Sequence, residues 1–196
     1  MPADVPAPAQ VPAPDGVGIV WDDALCEYDF GPYHPMAPIR LTLTRILAGA
    51  AGVLDRECVR TLPAPVASDE ELGTVHDPAL VQAVRRSSPG FEGLTAKDLD
   101  ELISFGIGGD DVPPFPGMHT ASARIAGGSL AAVDAILAGH VRSAVNVAGG
   151  MHHAKPGSVS GFCVYNDAAL AVRRALDAGE ERVMYVDVDV HHGDGV

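Results

Sequence analysis

The chain has 196 residues, 47% of them hydrophobic and 20% charged, and a formal net charge of −13. No apolar run reaches the roughly 20 residues that cross a bilayer as a helix, and the acidic balance argues against direct affinity for nucleic-acid phosphates. The cysteines Cys26, Cys58 and Cys163 are odd in number and far apart, which implies no disulfide framework, and the first residues lack the basic start and apolar core of a signal peptide, so a cytosolic globular protein is expected.

Residues 2–16 are mostly Pro, Ala and Val, with proline at 2, 6, 8, 12 and 14, which predicts a disordered, polyproline-like tail over 1–16. The domain proper then covers 17–196. Gly16-Val-Gly-Ile-Val-Trp21 reads as a first buried strand. Pro38 opens a helix through about Ala51, with proline in its first turn, and Val59-Arg-Thr-Leu62 reads as a second strand. Asp69-Glu-Glu-Leu72 leads into a short segment. Asp77 and Pro78, as N-cap and first helical residue, open a helix through about Ser87. The Gly- and Pro-rich run 104–118 is too long for a simple connection, and such loops are often functional. A small-residue helix over about Thr120–Ala138 ends at Gly139. Ala144-Val-Asn-Val147 reads as a buried strand, 149–163 as a second glycine-rich loop, Asn166–Ala178 as a helix, and Arg182–Asp187 as the last strand. Apolar strands alternating with helices predict an α/β fold, a parallel sheet wrapped by helices.

The chemistry concentrates where two of these strands end. Alternation along a strand puts Asp187, Asp189 and His191 on one side, at the kind of strand end where open α/β sheets place their sites. Carboxylate and imidazole suit zinc, iron(II) or manganese. Asp189 and His191 are the natural ligands, with Asp187 one step behind. The plain alternative is a polar strand end that holds only water. Upstream, Gly149-Gly-Met-His152-His153 follows a buried strand, among glycines that let backbone approach a ligand. Two neighbouring histidines can act as general base and acid if a carboxylate holds each, and Asp187 and Asp194 are available for that.

The runs His152-His-Ala-Lys-Pro-Gly-Ser-Val-Ser-Gly161-Phe-Cys-Val-Tyr-Asn-Asp167 and Asp187-Val-Asp-Val-His-His-Gly-Asp-Gly resemble the zinc-dependent histone deacetylase family, and within it the bacterial acetoin-utilization deacetylases. Gly31-Pro-Tyr-His-Pro-Met-Ala-Pro-Ile-Arg40 and Phe115-Pro-Gly-Met-His119 match the same branch. The resemblance implies the three-layer arginase/deacetylase fold and hydrolysis of acetyl-lysine, on a protein or a small acetyl-amide. It makes Asp189 and His191 two of three zinc ligands, with iron(II) as the alternative metal. His152 is then the general base held by Asp187, and His153 the second histidine, held by Asp194. Gly161, Phe162 and Cys163 would wall a narrow acyl-lysine channel. Asp111 would hold the substrate backbone at the rim, and Arg40 would be the family's buried arginine at the channel's inner end. A structural potassium ion would sit on backbone carbonyls around Asp187 and His191.

The family's third ligand and its transition-state tyrosine have no matching position in this sequence. The expectation is therefore an N-terminal portion of a longer enzyme, ending after the metal-binding strand with that strand's edge unpaired, and inactive alone. A manganese ureohydrolase of the same architecture is the alternative enzyme. A non-catalytic module that binds acyl-lysine or a partner is the alternative of another class. Self-association is left open.

Overall fold

The computed structural model describes residues 16–196. The tail predicted for 1–16 lies outside the described residues except for Gly16. That residue belongs to the fold, its carbonyl accepting the N–H of Arg142 at 2.8 Å.

Three short strands form a parallel sheet. β1 (Val17–Val20) lies between β2 (Val59–Leu62) and β3 (Ser143–Asn146). Val17 pairs with Val59 on one side and Ser143 on the other. Parallel neighbours need crossover connections, and helices supply them. α1 (Ile39–Ala50) begins just after Pro38. α2 (Asp69–Leu72) turns the short acidic segment into helix through a capping box between Ser68 and Glu71. α3 (Pro78–Ser87) starts at the expected proline, but Asp77 makes no side-chain cap; its N–H donates instead to the carbonyl of Pro156 at 2.8 Å. α4 (Ala96–Ile103) was not anticipated, although Thr95 and Asp98 form a second capping box. α5 (Met118–Leu137) starts two residues before the expected Thr120, and α6 (Asp167–Asp177) is capped by the Asn166 side chain, which accepts the N–H of Ala169 at 2.9 Å.

α5 explains the core. Its small residues Ala121, Ala123 and Ala126, with Met118, Ile125 and Leu130, are buried in one cluster with Val20 of β1 and Leu170 of α6. The opposite face of the sheet is only partly covered. There Val17, Ile19, Val59 and Val145 line a cavity of about 540 Å³ that also touches α1. α1 itself shows solvent an apolar row, Ile39, Leu43, Ile46 and Leu47.

One predicted element is corrected. Arg182–Asp187 is not a strand: among the described residues it joins no ladder, and Val186 and Val188 are exposed. Its apolar residues find no face to bury against, Met184 being 86% and Val186 68% exposed, so nothing offsets the cost of ordering it as a strand. The acids beyond it bond locally: Asp187 Oδ1 accepts the N–H of Asp189 at 3.0 Å, and Asp189 Oδ1 accepts the N–H of His191 at 2.7 Å.

Candidate active site

The site is built on two irregular segments. The first leaves β3 at Asn146 and carries His152 and His153; the second is 185–195. His152 is 7% exposed and His153 half-buried. Their rings are 4.2 Å apart between centroids, tilted by 50°. Each is held from behind. His152 Nδ1 lies 2.7 Å from Asp187 Oδ2, and His153 Nδ1 lies 2.8 Å from Asp194 Oδ1. The bond from His152, then that from the Tyr185 hydroxyl, holds Asp187 far below the usual carboxylate range. Lys155 first, and His153 second, do the same for Asp194. An ionised carboxylate only accepts, so Nδ1–H is the donor in both pairs, and Nε2 is the nitrogen that the carboxylate leaves free in each ring. Each ring can then take a proton at Nε2.

The two segments touch closely. The N–H of Gly195 donates to the carbonyl of His152 at 2.8 Å. A β-carbon at Gly193 would lie 2.4 Å from Asp187 Oδ2 and 3.0 Å from His152 Nδ1, so only glycine lets the chain pass there.

Asp187, Asp189 and His191 are linked by successive side-chain-to-backbone hydrogen bonds two residues apart, not by strand alternation. Asp189 Oδ1 lies 2.9 Å from His191 Nδ1 and 4.0 Å from His152 Nε2. One carboxylate and one imidazole beside a histidine base are donors that zinc or iron(II) accepts in kind. In number they fall short: among the described residues no group of three His, Cys, Asp or Glu side chains is arranged to hold a metal.

In front of the histidines is a cavity of about 790 Å³, lined by Gly149–His153, Gly161–Cys163 and Tyr185–Asp189, and by Arg40 and His191. Phe162 stands on its wall with φ +65°, a conformation a β-carbon resists. Three contacts hold it there. The Tyr28 hydroxyl donates to the Phe162 carbonyl at 2.7 Å, the Gly161 N–H donates to Asp111 Oδ2 at 2.8 Å, and the His34 ring meets the Phe162 ring edge-on at 4.5 Å. Cys163 is buried, and burial pushes its thiol up to about 11, so it is wall and not nucleophile.

Two expectations need adjusting. The Asp111 carboxylate bonds the channel loop through Gly161. Arg40 lines the cavity but is exposed, not buried at an inner end. The sequence reading missed several supporting residues. The Tyr185 hydroxyl donates to Asp187 at 2.5 Å, and burial with that bond pushes the phenol up to about 12. Lys155 Nζ lies 2.9 Å from Asp194 Oδ2. Tyr185 keeps the two-residue step of Asp187 and Asp189, a signal that could have found it; nothing local flags Lys155, Tyr28 or His34.

Residues 34–196, which carry all of these groups but Tyr28, match the model of the histone deacetylase domain. The chain belongs to that family. Acetoin utilization protein AcuC of Bacillus subtilis (strain 168) is 40% identical over 169 residues, which are 86% of this chain and 42% of that protein. AcuC of Staphylococcus xylosus is 35% identical over 178 residues, 91% of this chain and 44% of its own length. AcuC of Staphylococcus aureus (strain MSSA476) is 36% identical over 176 residues, 90% and 43% respectively. This histone deacetylase-family chain thus spans less than half the length of these curated relatives. No helix among the described residues is long and apolar enough to cross a membrane.

Proposed function

We propose that the protein is a zinc-dependent amidohydrolase that removes acetyl groups from lysine side chains, with Asp189 and His191 as two metal ligands and a further ligand from outside the described residues. The observation that carries this reading is the pair of adjacent, mutually tilted histidines, each backed by its own ionised carboxylate, beside an Asp/His donor pair and an apolar-walled cavity. A divalent ion at such a site polarises the acyl carbonyl and lowers the pKa of water. His152 takes the proton of the attacking water at Nε2, because its Nδ1–H is committed to Asp187. The proton that His152 took from the water is then delivered to the nitrogen of the leaving amine as its bond to the acyl carbon breaks, His153 relaying it at Nε2 while Asp194 steadies the ring. Phe162 presses on the lysine methylenes while Gly161 and Cys163 shape the wall. Asp111 at the rim orients the substrate backbone, and Arg40 contributes to the cavity lining. Backbone carbonyls near Asp187 and His191 are the candidates for a potassium ion.

Membership of the histone deacetylase family favours this reading over a manganese ureohydrolase. The chain as given supplies two ligands, so the 196-residue polypeptide alone is expected to be inactive. A binding module for acyl-lysine is the reading that follows if the full-length protein binds but never turns over. The test is a metal-free preparation of the full-length protein assayed on an acetyl-lysine peptide. Activity restored by zinc, and cut at least ~100-fold by His152→Ala with the metal still bound, is expected. Restoration by manganese alone, or near-normal turnover without His152, would overturn it.

A further inference from the structure

Asp167, the first residue of α6, is 4% exposed and takes no part in the steps above. Its Oδ1 accepts the N–H of Gly150 at 2.9 Å and of Met151 at 2.8 Å, the two residues immediately ahead of His152. Its Oδ2 accepts the Ser129 hydroxyl at 2.6 Å. Ser129 Oγ in turn accepts from Asn146 Nδ2 at 2.9 Å, at the last residue of β3. Asn146 is itself anchored, donating to the Ile125 carbonyl at 3.0 Å and accepting the N–H of Ala148 at 3.2 Å. One buried carboxylate therefore joins the end of β3, the middle of α5, the start of α6 and the backbone that delivers the first histidine. Gly149 is shaped around it: a β-carbon there would lie 2.2 Å from Asp167 Oδ2.

We propose that Asp167 is a positioning residue for the hydrolysis, fixing the backbone of Gly150 and Met151 and thereby the direction in which His152 presents Nε2. The inference rests on the reading of His152 as the general base. The carboxylate matters and not only its shape. An asparagine would keep one oxygen for the two N–H groups but turn an amide against Ser129 Oγ. Ser129 already accepts from Asn146, and its own proton would lose its acceptor. A buried group left without its partner shifts until it finds one, and the histidine loop is what can shift.

The test compares Asp167→Asn and Gly149→Ala with the unmutated full-length protein. Gly149→Ala keeps the charge but pushes the carboxylate aside, and it decides the matter if Asp167→Asn does not fold. Three readouts are needed: kcat and KM on an acetyl-lysine peptide, folded content by circular dichroism, and the His152 Nδ1–H proton resonance. In a folded variant, kcat should fall roughly 10- to 100-fold, as ångström-scale misplacement of a catalytic group does. For Asp167→Asn, KM should stay within about twofold, since Asp167 does not line the cavity, and in either variant the His152 resonance should shift or broaden. A folded variant with unchanged kcat and an unchanged resonance overturns the proposal. So does a loss of activity that only follows the unfolded fraction. If the unmutated protein hydrolyses nothing, the functional reading fails, yet the resonance still decides whether Asp167 positions His152.

Discussion

His76 offers a sharp test of how the site loop is held. It is 1% exposed, and its two nitrogens engage loop backbone: Nδ1 lies 3.1 Å from the Lys155 carbonyl, and Nε2 accepts the N–H of Asn166 at 2.9 Å. A carbonyl only accepts and an amide N–H only donates, so these bonds require the neutral ring with its proton on Nδ1. Burial pushes the His76 pKa below its ordinary 6.5. Below pH 6.5 the unfolded chain therefore binds a proton that the folded one does not. The contribution of His76 is fully present above 6.5 and is lost as pH falls below it, by at most about 1.4 kcal/mol per pH unit while the folded ring stays neutral. Urea unfolding at pH 7.5 and 5.5 would measure this in the unmutated protein and in His76→Gln. The variant should be less stable at pH 7.5 by about 1–3 kcal/mol, the cost of disturbing buried bonds. Between the two pH values it should lose up to about 1.4 kcal/mol less than the unmutated protein. His119, also depressed by burial, titrates in both and drops out of the difference. Parallel stability curves would refute the reasoning, since they would mean that His76 protonates without opening the loop.

Two further outcomes are expected. Tyr28→Phe should destabilise the fold by about 1–2 kcal/mol, because it strips the part-buried Phe162 carbonyl of its donor; a denaturation midpoint indistinguishable from the unmutated protein would remove that bond from the account. A thiol reagent at pH 8 should label exposed Cys58 readily and leave Cys163, with its thiol pushed up to about 11, untouched until the chain unfolds; equal labelling rates in the native state would contradict the burial assigned to Cys163.

Much of the frame was legible because it is local. Val59–Leu62 was read to the residue from a β-rich run between breakers, and α3 from Asp77 and Pro78. The histidine pairs were legible because two His, two Asp and the glycines between them have few other uses at that spacing. α4 was missed although Thr95-x-x-Asp98 announces it, a cap signal left unread. The strand over 182–187 failed for a physical reason: an apolar run says strand, but Met184 and Val186 stay exposed, and a hydrophobic pattern does not say what would cover them. Tyr28 reaches the site across 134 positions, which no window along the chain can bridge; Lys155 and Asp167 lie inside the His152–Asp167 run, but their partners Asp194 and Ser129 lie 39 and 38 positions away.

Those distances shape how the molecule must assemble. The loop bearing the histidines is tied to Tyr28 through Phe162, to His76 through Asn166 and to Asp111 through Gly161, spans of 134, 90 and 50 positions. Closing such long loops costs entropy before any bond repays it. The helices, whose bonds are local, are therefore expected to form before the histidine-bearing loop locks down. Amide hydrogens of 149–163 should exchange through partial openings that leave α5 protected. The machinery would then be the last part of the fold to be made and the first to come loose.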